Sequence, residues 1–280
     1  MKISVGAGIL TINLIKTKLS LREAGDKGDK QMLSIPTEDK LRALKLYGML
    51  KAFQEQRGQE NTGQLSFEER LGLLVDREEI ERDNRRLVTR LRNARLRQEA
   101  CVENIDYAQP RGLDKSMMKA LSTGQWLKEH LNVLITGPCG VGKSFIACAL
   151  SHRACLMGYS ALYVRAPRLF NDLAVARGDG RYAKLMKSLA RTNLLIIDDW
   201  GLSTLADVER TDLLEVLEDR HNNQSTIVTS QLPVKHWHET IGNATLADAI
   251  LDRLVHNAYS IALKSDGESM RKKYQKRPQD

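Results

Sequence analysis

The sequence predicts an α/β fold, a parallel sheet with helices on both faces, preceded by a small all-helical segment. Three observations predict it. A glycine-rich turn ending in Lys143-Ser144 stands between a short apolar run, residues 133–135, and an apolar helical stretch, residues 145–157. From Asn132 onward, short apolar runs alternate with helical segments, the pattern of strands joined by helical crossovers. From Thr37 to Leu127 the apolar spacing is helical.

The turn, residues 132–144, reads NVLITGPCGVGKS. This is strand, G-x-x-x-x-G-K-[ST], helix: a phosphate-binding loop in the setting that it requires. Gly137, Gly140 and Gly142 let backbone N–H groups turn inward as an anion nest, and Pro138, Cys139 and Val141 complete the cradle. The helix that follows adds the positive end of its dipole. Lys143 has the reach to meet β- and γ-phosphates, and the Ser144 hydroxyl is a ligand for Mg²⁺. The expected ligand is ATP with Mg²⁺.

The chain has 280 residues, 28% of them charged, and a formal net charge of +8. That length holds one large domain or two modest ones. The charge suggests an acidic partner, nucleic acid foremost, against the alternative of a solvated positive surface. Cys101, Cys139, Cys148 and Cys155 show no C-x-x-C spacing and no neighbouring histidine pair. Small buried hydrophobes in a reducing cytoplasm are expected rather than a zinc site. No run reaches the roughly 18 apolar residues that span a membrane, and residues 3–15 lack the cleavage site of a signal peptide.

In chain order, residues 1–31 read as a disordered or linker-like extension, and Met32 as an alternative start. Thr37 is expected to cap a helix carrying Leu41, Leu44, Met49, Leu50 and Phe53 on its apolar stripe. A second helix is expected after Ser66, with Phe67, Leu71, Leu74 and Val75 inward. Residues 82–97 then hold Arg82, Arg85, Arg86, Arg90, Arg92, Arg95 and Arg97 against one acid, Asp83. With Leu87, Leu91 and Ala94 facing the core, the arginines form an outer arc suited to DNA phosphates. The alternative is a solvated face paired with Glu78, Glu79 and Glu81. Pro110 and Gly112 mark a connector, and residues 113–127 a helix. Strands are expected at 161–164, 194–197, 226–229 and 259–263, with helices at 169–176, 182–189, 207–222 and 246–258 between them. The segment 271–277 is basic and expected to fray.

The apolar strand 194–197 ends in Asp198-Asp199, about fifty residues after the loop, where a phosphate-loop ATPase needs its acids. Asp198 would hold Mg²⁺ through water, and Asp199 would sit beside the attacking water. Gln231, at the carboxyl end of the next strand, could bridge phosphate and water, or serve only the turn before Pro233. Arg253 is a lone arginine in an apolar helix. It reads either as a partner of Asp248 or Asp252, or as an arginine finger for a neighbouring subunit. Arg271 reads as a second phosphate sensor or as part of the basic tail.

GPCGVGKS, LLIIDDWG, TIVTSQLP, DAILDRLVHNA and GESMRK, in that order, resemble the IstB family of AAA+ ATPases, helpers of insertion-sequence transposases and relatives of DnaC-type helicase loaders. The segments IPTEDKLRALKLYGMLKAF and SFEERLGLLVDRE are also similar to that family, and the likeness covers about residues 33–273. It implies an ASCE-type three-layer sandwich in which an extra strand separates the loop strand from the Asp198 strand. It also implies the roles Walker A for residues 137–144, Walker B for Asp198-Asp199, sensor 1 for Gln231, finger for Arg253 and sensor 2 for Arg271. Implied as well are a homo-oligomer joined through its ATP sites, duplex DNA, and a transposase as partner. Two departures bear on hydrolysis: Asp199 stands where many AAA+ proteins have glutamate, and Gln231 where asparagine is common.

The expected layout is an extension (1–31), a helical DNA- and partner-binding domain (32–112), an AAA+ ATPase domain (113–264) and a basic tail (265–280). The expected function is a slow, DNA- or partner-stimulated cytoplasmic ATPase that assembles on duplex DNA and assists a transposase. A loader of a replicative helicase, and a nucleotide-binding regulator with negligible hydrolysis, are the alternatives.

Overall fold

A computed structural model describes residues 34–58 and 64–265, in two compact units divided between Asn84 and Arg85. The extension at 1–31, the start at Met32 and the basic tail lie outside the described residues.

The first unit holds α1 (Ser34–Ala43), α2 (Tyr47–Gly58) and the beginning of α3 (Phe67–Ala94). Thr37 is not a cap, because α1 starts three residues earlier and carries Pro36 in its first turn, where a missing N–H costs nothing. The expected single stripe is broken as well. Lys45, with φ of 59°, separates α1 from α2, which buries Gly48, Leu50 and Ala52 and leaves Leu44 exposed. On α3, Phe67, Leu71 and Val75 are exposed rather than inward, and the α3 residue buried within the first unit is Glu78. Its carboxylate caps α2, accepting from the N–H groups of Gly48 at 2.7 Å and Met49 at 3.1 Å. Gly48 is required there, since a Cβ would stand 2.5 Å from the Arg77 carbonyl oxygen.

Burial works to raise the Glu78 pKa, but the hydrogen bonds from Arg82, Met49 and Gly48 outweigh it and hold the carboxyl below its ordinary value. A folded value below the unfolded one contributes stability above the unfolded glutamate pKa, and that contribution is lost as pH falls through the folded value. Glu78→Ala should therefore cost about 1–2 kcal/mol at neutral pH. The difference from wild type should shrink in melts as the pH falls below the ordinary glutamate range; a pH-independent difference would refute the cap.

The second unit is a five-stranded parallel sheet, order β2-β3-β4-β1-β5, with β1 (Asn132–Thr136), β2 (Ala161–Arg165), β3 (Leu194–Trp200), β4 (Ser225–Ser230) and β5 (Ala258–Ala262). β4 lies between β1 and β3, the extra strand that the family likeness implied. The inner strands β1, β3 and β4 are buried along nearly their whole length because both faces are covered, and alternate residues feed two cores. Val133, Ile135, Leu194, Ile196 and Ile227 pack with α6 (Lys143–Leu156). Leu134, Leu195, Ile197 and Val228 pack with α7 (Ala166–Gly178), α8 (Tyr182–Arg191), α9 (Asp207–Arg220), α10 (Trp237–Ile241) and α11 (Ala244–Val255). The result is a three-layer sandwich.

Three boundaries differ from the sequence expectation. The helix expected over 113–127 is split into α4 (Lys115–Ser122) and α5 (Gln125–Lys128), because Gly124 takes φ of 75° between them. The arginine-rich helix stops at Ala94, with Arg95 at φ of 51° turning the chain. Residues 85–112 belong to the sheet unit rather than the helical one, since Ala94, Ala100 and Ile105 are buried in the core that α6 closes. Cys148 and Cys155 are buried as expected, but Cys139 is exposed on the loop. Among the described residues, no helix is long and apolar enough to cross a membrane.

Candidate nucleotide site

The phosphate loop bridges β1 and α6 at the carboxyl edge of the sheet. Gly137, Gly140 and Gly142 have φ of 143°, 86° and 96°, conformations that a side chain disfavours. At Gly142 packing adds a second demand, because a Cβ would lie 2.6 Å from Nη1 of Arg111. Arg111 comes from the connector and is buried, donating to the carbonyls of Val141 at 2.7 Å and Asp106 at 2.9 Å. The sequence reading missed this brace; an arginine between Pro110 and Gly112 carries no signal by itself. The start of the loop is tied down too, through Gly137 N–H to the Ser230 carbonyl at 3.1 Å.

Lys143 folds over the loop and donates to the carbonyls of Gly137 at 2.7 Å and Pro138 at 2.8 Å. The Ser144 hydroxyl donates to Asp198, 2.9 Å from Oδ1 and 3.1 Å from Oδ2. Asp198 is fully buried and accepts two further hydroxyls, from Thr229 of β4 and Tyr163 of β2. Burial and the adjacent Asp198 carboxylate push the Tyr163 phenol well above its ordinary pKa, so it stays a donor. Neither Tyr163 nor Thr229 was foreseen. Their only trace in the sequence is a hydroxyl inside an apolar strand.

Asp199 departs from strand geometry. In the β3–β4 register Ile197 faces Val228, yet Trp200 faces Ser230, so β3 carries one extra residue. This bulge puts Asp199 at φ of 61°, where it is partly exposed and paired with Arg165 at 2.7 Å. Consecutive strand residues would point to opposite faces; the bulge re-aims the pair. It also gives a reason for aspartate over glutamate here, since Asp tolerates positive φ better than most residues.

Arg97 Nη1 completes the cluster, 3.5 Å from Asp198 Oδ2 and 4.0 Å from Asp199 Oδ2. It therefore stands apart from the arc on which the sequence placed it, because α3 ends before it. Of the other arginines, Arg82 pairs with Glu78 at 2.7 Å and Arg90 donates to the Cys155 carbonyl at 3.1 Å. Arg85, Arg86, Arg92 and Arg95 are exposed. Gln231 lies just past β4 and is exposed; the side chain from this strand that meets Asp198 is Thr229.

Arg253, in the last turn of α11, pairs with Glu218 of α9 rather than with Asp248 or Asp252, and donates to the Ala249 carbonyl at 2.9 Å. Its own carbonyl accepts from Asn132 Nδ2 at 3.0 Å. Asn132 opens β1, whereas the phosphate loop follows Thr136 at the strand's other end, about 13 Å away at the usual rise per residue. Arg253 thus stands on the edge opposite its own loop. Arg271 lies outside the described residues.

The donor set fits a Mg²⁺–nucleotide complex: a nest and a lysine for phosphate, and two hard oxygen ligands, Ser144 and Asp198, side by side. Such an ion, when bound, neutralises charge on the phosphates. Lys143 and the loop N–H groups would grip the phosphates, and Asp199 is the more exposed of the two carboxylates, paired with Arg165.

The family model for the IstB-like ATP binding protein matches residues 39–278. The chain belongs to that family. Among the relatives of this IstB-like protein is an insertion sequence ATP-binding protein of Sinorhizobium fredii, y4pL, 55% identical over 241 residues, which are 86% of this chain and 98% of the relative. The ATP-binding protein of insertion sequence IS1162 from Pseudomonas fluorescens is 47% identical over 203 residues, 72% of this chain and 88% of the relative. In fold, the IstB-like chain is similar to DnaI, with a TM-score of 0.51 at 21% identity over 59% of this chain and 91% of the other. It is also similar to the replication initiator DnaA bound to AMPPCP and single-stranded DNA, with a TM-score of 0.51 at 14% identity over 65% of this chain and 56% of the other. The likeness is one of fold: an AAA+-type parallel-sheet sandwich following a helical N-terminal region.

Proposed function

We propose that this chain is a cytoplasmic, Mg²⁺-dependent ATPase that assembles on duplex DNA through shared ATP sites and assists the transposase of an insertion sequence. The observation that carries the reading is the separation of Arg253 from its own phosphate loop. That separation supports a role for Arg253 at the γ-phosphate of a neighbouring subunit, so turnover would report assembly. Gln231 and Arg271 would act as sensors of the same phosphate. The exposed arginines Arg85, Arg86, Arg92 and Arg95 would supply sequence-independent contacts to DNA phosphates. The insertion-sequence relatives support a transposase as the partner, and hydrolysis that is slow until DNA or partner arrives suits a switch that must persist on DNA.

The test is duplex binding by fluorescence anisotropy, with ATP and Mg²⁺, without nucleotide, and across salt. Binding should require ATP and Mg²⁺ and weaken roughly 100-fold or more between 50 and 200 mM salt. Equal affinity without nucleotide would sink the switch. A clear preference for single strands would instead favour a helicase loader, and undetectable turnover with duplex and transposase present would favour a non-hydrolysing regulator.

A further inference from the structure

Arg97 is not a casual surface side chain. The chain around it is pinned, with Ala94 and Ala100 buried on either side and the backbone N–H groups of Arg97 and Gln98 directed at the Cys148 sulfur on α6. Its guanidinium reaches both acids and hydrogen-bonds the Tyr163 hydroxyl, which, ahead of the two carboxylates, raises the Arg97 pKa further. A carboxylate offers about four acceptor positions. On Asp198 these meet Ser144, Thr229, Tyr163 and Arg97. Ser144, Thr229 and Tyr163 are held by the sheet and the loop helix. Arg97 is the longest of the contacts and comes from a side chain 44% exposed, so it has a way out to solvent.

A divalent cation taken up beside Ser144 and Asp198 would meet this guanidinium across the same oxygens. Two cations drawn to one buried carboxylate repel each other strongly when water is scarce. Mg²⁺ also insists on a near-octahedral shell of oxygens, which a guanidinium, having only donors, cannot join.

We infer that Arg97 is a built-in competitor of Mg²⁺ for Asp198 and Asp199, a positioning residue whose withdrawal readies the acids for the metal. Because Arg97 ends the arginine-rich segment, an acidic partner engaged by that segment offers it another acceptor. Binding there and Mg²⁺ uptake at the acids then favour each other, as reciprocal coupling requires. The inference rests on residues 137–144 and 198–199 being an ATP–Mg²⁺ site.

The experiment titrates Mg²⁺ against the full-length chain and a fluorescent ATP analogue, reading equilibrium binding rather than turnover. Arg97→Met should lower the half-saturating Mg²⁺ concentration about tenfold, Arg97→Gln should do the same with a polar side chain retained, and Arg97→Lys should stay near wild type. Binding in EDTA should be equal in all four proteins. A Mg²⁺ requirement that is unchanged or higher in both Arg97→Met and Arg97→Gln overturns the inference while leaving the ATP site standing. Failure of the wild type to bind the analogue at any Mg²⁺ concentration overturns the ATP site itself, and the inference with it.

Discussion

Mixing two inactive variants, Lys143→Ala and Arg253→Ala, should restore ATP turnover that neither shows alone. Lys143→Ala removes the phosphate grip, whereas Arg253→Ala leaves the loop intact and should still bind nucleotide. Loss of a trans-acting arginine costs about 10³- to 10⁵-fold in turnover. In a random equimolar assembly, roughly a quarter of the interfaces pair an intact loop with an intact Arg253, so activity should return to about that share of wild type. The geometry is the reason to expect this outcome. The Arg253 carbonyl is bonded to Asn132 at the opening of β1, and the loop begins only after Thr136. An arginine acting on its own subunit's site would leave the mixture as inactive as its parts. Glu218 is the partner that Arg253 would leave or share in acting on a neighbour, and the hydrogen bond between them keeps the Arg253 pKa raised and the Glu218 pKa lowered.

Asp198→Ala should reduce turnover on the order of a thousandfold, while nucleotide binding in EDTA stays at the wild-type level. Asp198 is the point where four elements meet: Ser144 from α6, Thr229 from β4, Tyr163 from β2 and Arg97 after α3. Asp198→Asn is the companion variant. It keeps the shape and gives the hydroxyls an amide to bond, yet it removes the charge on which a Mg²⁺ ligand depends. Both variants should therefore fold and both should be inactive. Turnover within tenfold of wild type in Asp198→Asn would mean that the carboxylate is structural and that another group supports the metal.

Much of this site is legible in the sequence because its chemistry is local. A phosphate nest is built from consecutive backbone N–H groups, so glycine spacing within eight residues is enough to show it, and the structure keeps Gly137, Gly140 and Gly142 at positive φ. The Asp198-Asp199 pair is legible because a fully apolar strand ending in two carboxylates is an uncommon pattern. The strand boundaries were also close, since fully buried strands announce themselves as unbroken apolar runs.

The misses share one cause. The inward residues of α3 were misjudged because helical spacing names a stripe without saying whether anything packs on it; Phe67, Leu71 and Val75 are exposed and Glu78 is buried against the start of α2. Arg97 was placed on the arginine arc because the sequence shows no stop at Ala94, where the helix gives way to Arg95 at positive φ.

The sequence by itself determined that this chain has an AAA+ sandwich with a phosphate loop and paired acids, because strand periodicity and the loop's glycines act over a few residues. The tertiary structure decided who surrounds Asp198, that β3 bulges to re-aim Asp199, that Arg111 braces the loop, and that Arg253 stands away from it. Those arrangements join residues thirty to more than a hundred positions apart, and only the closing of the sheet brings them together.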